Sequence, residues 1–382
     1  MWLARIVGQN INLKQVRSSI TTINTFKANN NSNMRTLWVD YTKAIGIMLV
    51  VYGHVSRGLY KAQIPMNESL FKLIDGIIYS FHMPLFFFLS GLFFYNSLRK
   101  RGFKGLIANK LDSIFYLYII WSVLQGGLTL AFDQLANSPV TLDDVTSLFW
   151  EPRAQFWFLY SLFFVTIIAA LIYAKLDQKY ALVIFVLTSL IVIFNVQSYG
   201  ITPLIFALPY LCFFMFGIYF NQIESFFTTN QYKLLFPFAI LFVGLQCLML
   251  TQLNLVPAQW LSTIKLATTL VSILFTVNVC MCITDSHYLA EKPSKLLSTI
   301  GTSSMVIYLL HVITGSGTRI VLQHFLGISN FYVHLVLGCL AGIIGSILLV
   351  KILSKLGFSF LFVIPDKLSI EHKYAELLKQ SN

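Results

Sequence analysis

Residues 81–95 read Phe-His-Met-Pro-Leu-Phe-Phe-Phe-Leu-Ser-Gly-Leu-Phe-Phe-Tyr, fifteen positions without an acidic residue, lysine or arginine. Apolar side chains follow one another instead of alternating with polar ones, so the run does not read as a half-buried strand or a strand of a membrane barrel. With its flanks it extends over 70–95, the length a helix needs to cross the hydrocarbon of a bilayer, about 20 residues. Comparable runs occur at 42–60, 112–132, 156–174, 180–198, 203–221, 234–252, 261–283, 300–324 and 332–350. The pattern predicts an all-α, polytopic transmembrane helical bundle of about ten spans, with the lipid bilayer as its surroundings.

Composition agrees. Hydrophobic residues make up 57% of the 382 positions and charged residues only 11%, where a soluble domain carries about a quarter charged. The net charge of +12 would suggest nucleic acid in a soluble protein, but here the cations sit in short connections. If the N-terminus, the loops after even-numbered spans and the C-terminus are cytoplasmic, that side holds 21 of the 27 Lys and Arg residues, as the positive-inside rule requires. Arg57, Lys61, Lys72, Arg153, Lys265 and Arg319 fall on the other side. Both termini are therefore expected in the cytoplasm, and no nucleic-acid partner is expected.

Cys212, Cys247, Cys280, Cys282 and Cys339 all lie within apolar runs, at spacings that suit neither a disulfide framework nor a metal site. They read as packing residues, with no metal and no bound cofactor expected. Residues 1–33 are polar, carry Asn29–Asn31 and lack the apolar core of a signal peptide. They read as a disordered tail, with Met34 as a second possible start. Residues 34–365 form the expected membrane domain and 366–382 a polar cytoplasmic tail with helical character. Chemistry is thus expected inside the bundle or at its mouths.

Ionisable residues inside a span are costly, which makes each a functional candidate beside its structural alternative as helix glue or a snorkelling anchor. The first span contains Asp40, Lys43 and His54. Lys43 and His54 are eleven residues apart, about three helical turns, so they share a face with a rise of roughly 16 Å between them. Asp40 lies one turn before Lys43 and can pair with it. Gly46 and Gly53 leave room for a close neighbour. In the second span, Pro84 predicts a kink beside His82, which suits either a supporting role at a site or a structural one. Asp75 reads as solvated near the outer end. In the ninth, Ser304, Tyr308 and His311 form one polar stripe at i, i+4, i+7. Arg319 and His324 follow toward the outer end, where they would contact an acceptor or anchor the helix. Arg99, Lys100, Arg101, Lys104 and Lys110 crowd one inner loop, which suits anionic lipid or a phosphate-bearing ligand.

Four of these segments together resemble the acyltransferase 3 family: Asp40-x-x-Lys43-x10-His54, Phe81-His82-Met83-Pro84 through Ser90-Gly91, Trp157-Phe158-Leu159-Tyr160, and Ser304-x3-Tyr308-Leu309-Leu310-His311. Trp38-Val39-Asp40-Tyr41-Thr42-Lys43 is similar to the branch of fucose 4-O-acetylases. The resemblance spans about 35–350. It implies a membrane acyltransferase that takes an acyl group, usually acetyl, from acyl-CoA to a hydroxyl of a sugar or cell-surface glycan, in the bacterial inner (cytoplasmic) membrane. Lys43 and His54 match the family's paired basic residue and histidine. Many members have Arg at the first position; Lys keeps the charge but not the bidentate fork.

On this reading Lys43, Arg99, Arg101, Lys104 and Lys110 would hold the donor phosphates, and the thin pantetheine arm would run along the face from Lys43 to His54. His54 would be the general base, with Asp40 supporting Lys43. Oxyanion or supporting roles fall among His82, Ser90, Ser304, Tyr308 and His311, unranked. Trp157, Arg153 and Arg319 are expected on the acceptor side. An acyl-His54 intermediate is the alternative to direct transfer. A multi-pass transporter or flippase for a glycan-related substrate is the competing class. The acceptor's identity and the oligomeric state stay open at this point.

Overall fold

The computed structural model describes residues 30–131, 141–196, 200–251, 256–285 and 291–380, and every regular element among them is a helix. The chain is a polytopic all-α membrane bundle. Six helical segments among the described residues are long and apolar enough to cross a membrane: 68–131, 142–173, 202–250, 259–285, 304–325 and 331–355. The first and third of these each contain two of the spans expected from sequence.

The helix of the first expected span, α1 (Asn30–Lys61), is not one of the six, because its polar and charged residues lower its mean hydropathy. Its position explains how it tolerates them. Trp38, Val39, Tyr41, Ala44, Ile47, Val50 and Val51 are all buried, so α1 faces protein rather than lipid. A helix screened by its neighbours can carry ionisable groups that a lipid-facing one cannot. Because α1 starts at Asn30, the last residues of the expected tail are helical. Residues 1–29 lie outside the described residues.

The second expected span is two helices, α2 (Glu68–Tyr79) and α3 (His82–Lys110). Pro84 does not kink one continuous helix. It sits in the first turn of α3, where its missing N–H is least costly. The break falls at Ser80–Phe81, and its freed carbonyls find partners. Ser80 O, which Pro84 has no N–H to reach, accepts Thr269 Oγ1 at 2.8 Å, and Ile78 O lies 2.8 Å from His82 Nδ1. Gln246 Nε2 donates to Ser80 Oγ at 2.8 Å.

A π-helical turn at Leu111–Phe115 joins α3 to α4 (Tyr116–Ala131). After the short α5 (Leu142–Thr146), the bundle continues with α6 (Trp157–Tyr173) and α7 (Ala181–Ile193). Then comes the helical segment α8 (Thr202–Thr251). Phe227 and Phe238 have ring centroids 6.0 Å apart, whereas eleven residues of straight helix rise roughly 16 Å. Phe213 and Met249 line the same cavity. α8 therefore doubles back into two arms, which correspond to the expected spans 203–221 and 234–252. Its first arm touches α3 backbone to backbone. A Cβ on Gly91 would collide with Phe214 O and one on Gly217 with Phe88 O, so only glycine fits at this crossing.

α9 (Ala258–Asp285), α10 (Glu291–Thr302) and α11 (Ser304–Ile320) follow. The chain breaks at Ser303, so the ninth expected span starts at Ser304. α10 lies along the start of α1, where Tyr41 and Ser294 hydroxyls share a hydrogen bond of 2.5 Å. α12 (Phe331–Leu340) and α13 (Ser346–Lys355) complete the bundle through a π-helical turn at Ala341–Gly345.

The C-terminal stretch is not a free tail. α14 (Ile370–Gln380) docks on the basic end of α3, where the inner loop expected from sequence is helical except at Gly102. Asp112 is buried and accepts Ser369 Oγ at 2.7 Å, Ile370 N at 3.0 Å and Glu371 N at 2.9 Å. The carboxylate thus caps α14, satisfying N–H groups that the helix start leaves open.

Candidate active site

The helical spacing of α1 places Lys43 near one end of the bundle and His54 and Arg57 toward the other. Around His54 the helices leave a cavity of about 580 Å³. α1 contributes Val50, His54 and Arg57. Tyr79, Ser80, His82, Met83 and Pro84 come from the break between α2 and α3. Gln155 comes from the turn before α6 and Trp157 from its start, Tyr210, Phe213 and Met249 from the two arms of α8, Lys265 and Thr269 from α9, and Tyr308 from α11.

The walls are built from aromatic rings. Trp157 packs on Tyr210 at 5.1 Å between centroids, and Tyr79 meets His82 edge-on at 4.5 Å. Toward the mouth, Arg57 binds Asp75 through two hydrogen bonds, Nε–Oδ1 at 2.7 Å and Nη2–Oδ2 at 2.8 Å. Its guanidinium lies 3.1 Å from the centroid of the Tyr79 ring. This fork, stacked on an aromatic face, holds α2 against α1. Asp75, read from sequence as solvated, is one half of that clamp. Lys265 is an exposed cation on the same wall.

Deeper in, the His54 and His311 rings meet edge-on with centroids 5.0 Å apart and planes at 72°. His311 is fully buried. Tyr308 donates its hydroxyl hydrogen to Gln155 O, which ties α11 to the loop before α6.

The other members of the expected set divide by position. His82 and Tyr308 line the cavity; Ser90 and Ser304 do not. Ser90 Oγ donates to Phe86 O at 2.8 Å, and Ser304 is the first residue of α11, about two turns from His311. His82 Nδ1 is directed at Ile78 O, so a neutral His82 carries its hydrogen there and presents Nε2 as an acceptor, not as an oxyanion donor. Trp157 lines the cavity. Arg153 instead pairs with Asp144, Nη1–Oδ1 at 2.6 Å, and buried Arg319 donates to Gln323 Oε1 at 3.0 Å.

Lys43 stands apart from this cavity. It pairs with Asp40 at 3.3 Å, and its Nζ lies 5.9 Å from the centroid of Phe93. The face between Lys43 and His54 is not open. A Cβ on Gly46 would lie 3.0 Å from Phe86 Cζ, so the Phe86 ring fills the groove that Gly46 leaves. Tyr79 fills the groove at Gly53 in the same way. Of the basic segment, Arg99, Lys100, Arg101 and Lys104 are exposed and Lys110 is half-buried. Arg101 Nε is held by Glu371 of α14 at 3.2 Å, and Asn109 Nδ2 donates to the same carboxylate at 2.8 Å.

Sequence reasoning missed Arg57, Tyr79, Gln155, Tyr210 and Lys265 as cavity residues. Arg57 is three residues after His54, hence on the same helical face. Periodicity alone therefore marks Arg57, whose charge otherwise reads only as topology. The remaining four reach the cavity through tertiary packing.

The fold and site define a polytopic membrane protein with an imidazole pair at the edge of an aromatic-walled cavity. The chain belongs to the acyltransferase 3 family: the family model, described as an acyltransferase domain, matches residues 36–351. It is similar to nodulation protein NolL of Mesorhizobium japonicum, 26% identical over 189 residues, or 47% of this chain and 47% of that protein. NolL of Sinorhizobium fredii is 24% identical over 188 residues, covering 47% and 48% respectively. The chain thus matches about half the length of these curated relatives. No solved structure matches it.

Proposed function

We propose that this protein is an acyl-CoA-dependent O-acyltransferase of the bacterial cytoplasmic membrane, with both termini in the cytoplasm. It moves an acyl group, acetyl first among them, to a hydroxyl of a sugar or cell-surface glycan. Acyl-CoA serves as co-substrate, and residues 34–365 are the domain that does the work. The observation that carries this reading is that His54 borders a cavity walled by Trp157 and Tyr210. Flat aromatic faces and a few polar groups suit a sugar ring better than a long apolar chain.

His54 acts as general base on the acceptor hydroxyl, whose oxygen attacks the thioester carbonyl. Among the expected oxyanion donors, Tyr308 both lines the cavity and has a hydrogen to give, on releasing Gln155 O. The donor's phosphates bind at the opposite end, on Lys43, Arg99, Arg101, Lys104 and Lys110. The pantetheine arm then covers the roughly 16 Å of helix rise between Lys43 and His54, displacing Phe86.

The test is transfer from labelled acetyl-CoA in membranes containing this chain. His54→Ala is expected to lower the rate by about 10²–10⁴-fold. Full activity in that variant removes the assignment. Label retained on purified protein without acceptor would favour the acyl-His54 route over direct transfer.

A further inference from the structure

The second imidazole at the site, His311, is one of the unranked oxyanion or supporting candidates and does not itself line the cavity. Its Nδ1 lies 2.7 Å from Tyr308 O and 3.0 Å from Ile307 O. Carbonyl oxygens only accept hydrogen bonds, so a neutral His311 must carry its hydrogen on Nδ1. Nε2 is then a bare lone pair. It is buried and has no hydrogen-bond partner among the described residues. A buried acceptor left unsatisfied is costly, and such an atom calls for a reason. The ring it adjoins is that of His54, edge-on at 5.0 Å between centroids. Near the His311 Cβ lies Gly342, which brings no side-chain donor.

We propose that His311 is the positioning residue of His54: a small turn of the two adjoining rings lets its Nε2 accept the N–H of His54, a bond they do not make at the described geometry. That contact fixes the His54 tautomer and leaves the other ring nitrogen as the lone pair that serves the cavity. The inference rests on His54 being the base, as proposed above. In the reaction, the free nitrogen of His54 takes the proton of the acceptor hydroxyl while that oxygen bonds to the thioester carbon. The carbon–sulfur bond then breaks, and the same proton passes from His54 to the departing thiolate, giving ester and free thiol. Between those steps His54 is an imidazolium. Its hydrogen bond to His311 Nε2 strengthens at that moment, because the donor has become charged.

Two conservative variants separate this role from a packing role. In His311→Gln the amide reaches the position of Nε2 and can offer a carbonyl oxygen to His54. In His311→Asn the amide reaches only the position of Nδ1, keeping the contacts to Tyr308 O and Ile307 O but offering His54 nothing. The expected result is that kcat of the Gln variant stays within about tenfold of the parent, and that of the Asn variant falls about 100-fold or more. KM for acetyl-CoA should be unchanged in both. Equal rates in the two variants, or a faster Asn variant, would overturn the proposal. If the Asn variant does not accumulate in membranes, His311→Leu supplies the acceptor-free comparison, and a rate matching the Gln variant overturns the role in the same way. His54→Ala in the same assay distinguishes the two failures. An inactive His54→Ala with indifferent His311 variants removes only the role of His311, whereas an active His54→Ala removes the reading beneath it.

Discussion

The two ends of α1 are built on different principles. Around His54 the chain has assembled a preformed cavity from six helices or their junctions, with stacked aromatic walls and an Arg57–Asp75 clamp that closes through two short hydrogen bonds. Lys43 does not line that chamber; it pairs with Asp40 and lies against the Phe93 ring. The cations of 99–110 lie mostly on the surface, and one of them, Arg101, is engaged by Glu371 of the chain's own C-terminal helix. A rigid pocket suits a reacting centre, where groups must be held in place before the substrate arrives. An exposed basic surface suits a flexible polyanion, which needs charge more than shape. Phe86, packed in the groove at Gly46, separates the two ends.

The contrast can be broken by experiment, and His54→Ala has the largest expected effect. The separation at Phe86 comes next. In Gly46→Leu the new side chain and the Phe86 ring compete for one groove. We expect kcat/KM for acetyl-CoA to fall about 10–100-fold, because a misplacement of the donor is amplified in the rate. Acceptor KM should be little changed. Equal losses toward both substrates would mean that the groove is not a donor route. A third test addresses the cavity wall: Trp157→Ala should raise acceptor KM about tenfold through loss of an aromatic contact, leaving donor KM alone. The smallest effect belongs to the basic end. Glu371→Gln removes the carboxylate that engages Arg101, so donor KM should drop by about two- to fivefold, less so at high salt because the pair is exposed. A rise in donor KM would show that α14 supports the donor site instead of competing for it.

How much of this was legible in the sequence follows from how local each feature is. The apolar runs around Phe86–Leu89 and Phe163–Ile168, the second broken only by Thr166, announce membrane helices without reference to anything distant. The shared face of Lys43 and His54, and the stripe of Tyr308 and His311, follow from helical periodicity alone. Pro84 announced a disturbance at the second span, but its form, a helix restarted at His82 with Thr269 closing Ser80 O, depends on α9, far along the chain. Phe86 is one of four phenylalanines in residues 81–88, and nothing local distinguishes the one that meets Gly46. Glu371 is 270 positions from Arg101, so a polar tail concealed a docked helix. Arg153 and Arg319 were grouped with Trp157 by topology. Packing brings only Trp157 to the cavity, because Arg153 turns to Asp144 and Arg319 to Gln323.

On the proposed function, acyl transfer depends on His54 at the cavity and on a donor entering from the Lys43 end. Sealed membrane vesicles of defined orientation test both halves at once. Labelled acetyl-CoA is supplied to one face only, and label on the glycan fraction is counted. The account predicts transfer when the donor meets the face bearing Lys43 and Arg101, little when it meets the face bearing Arg57 and Lys265, and a rate about 10²–10⁴-fold lower in His54→Ala with the donor on its productive side. Equal transfer from both faces, or full transfer by His54→Ala, would contradict it.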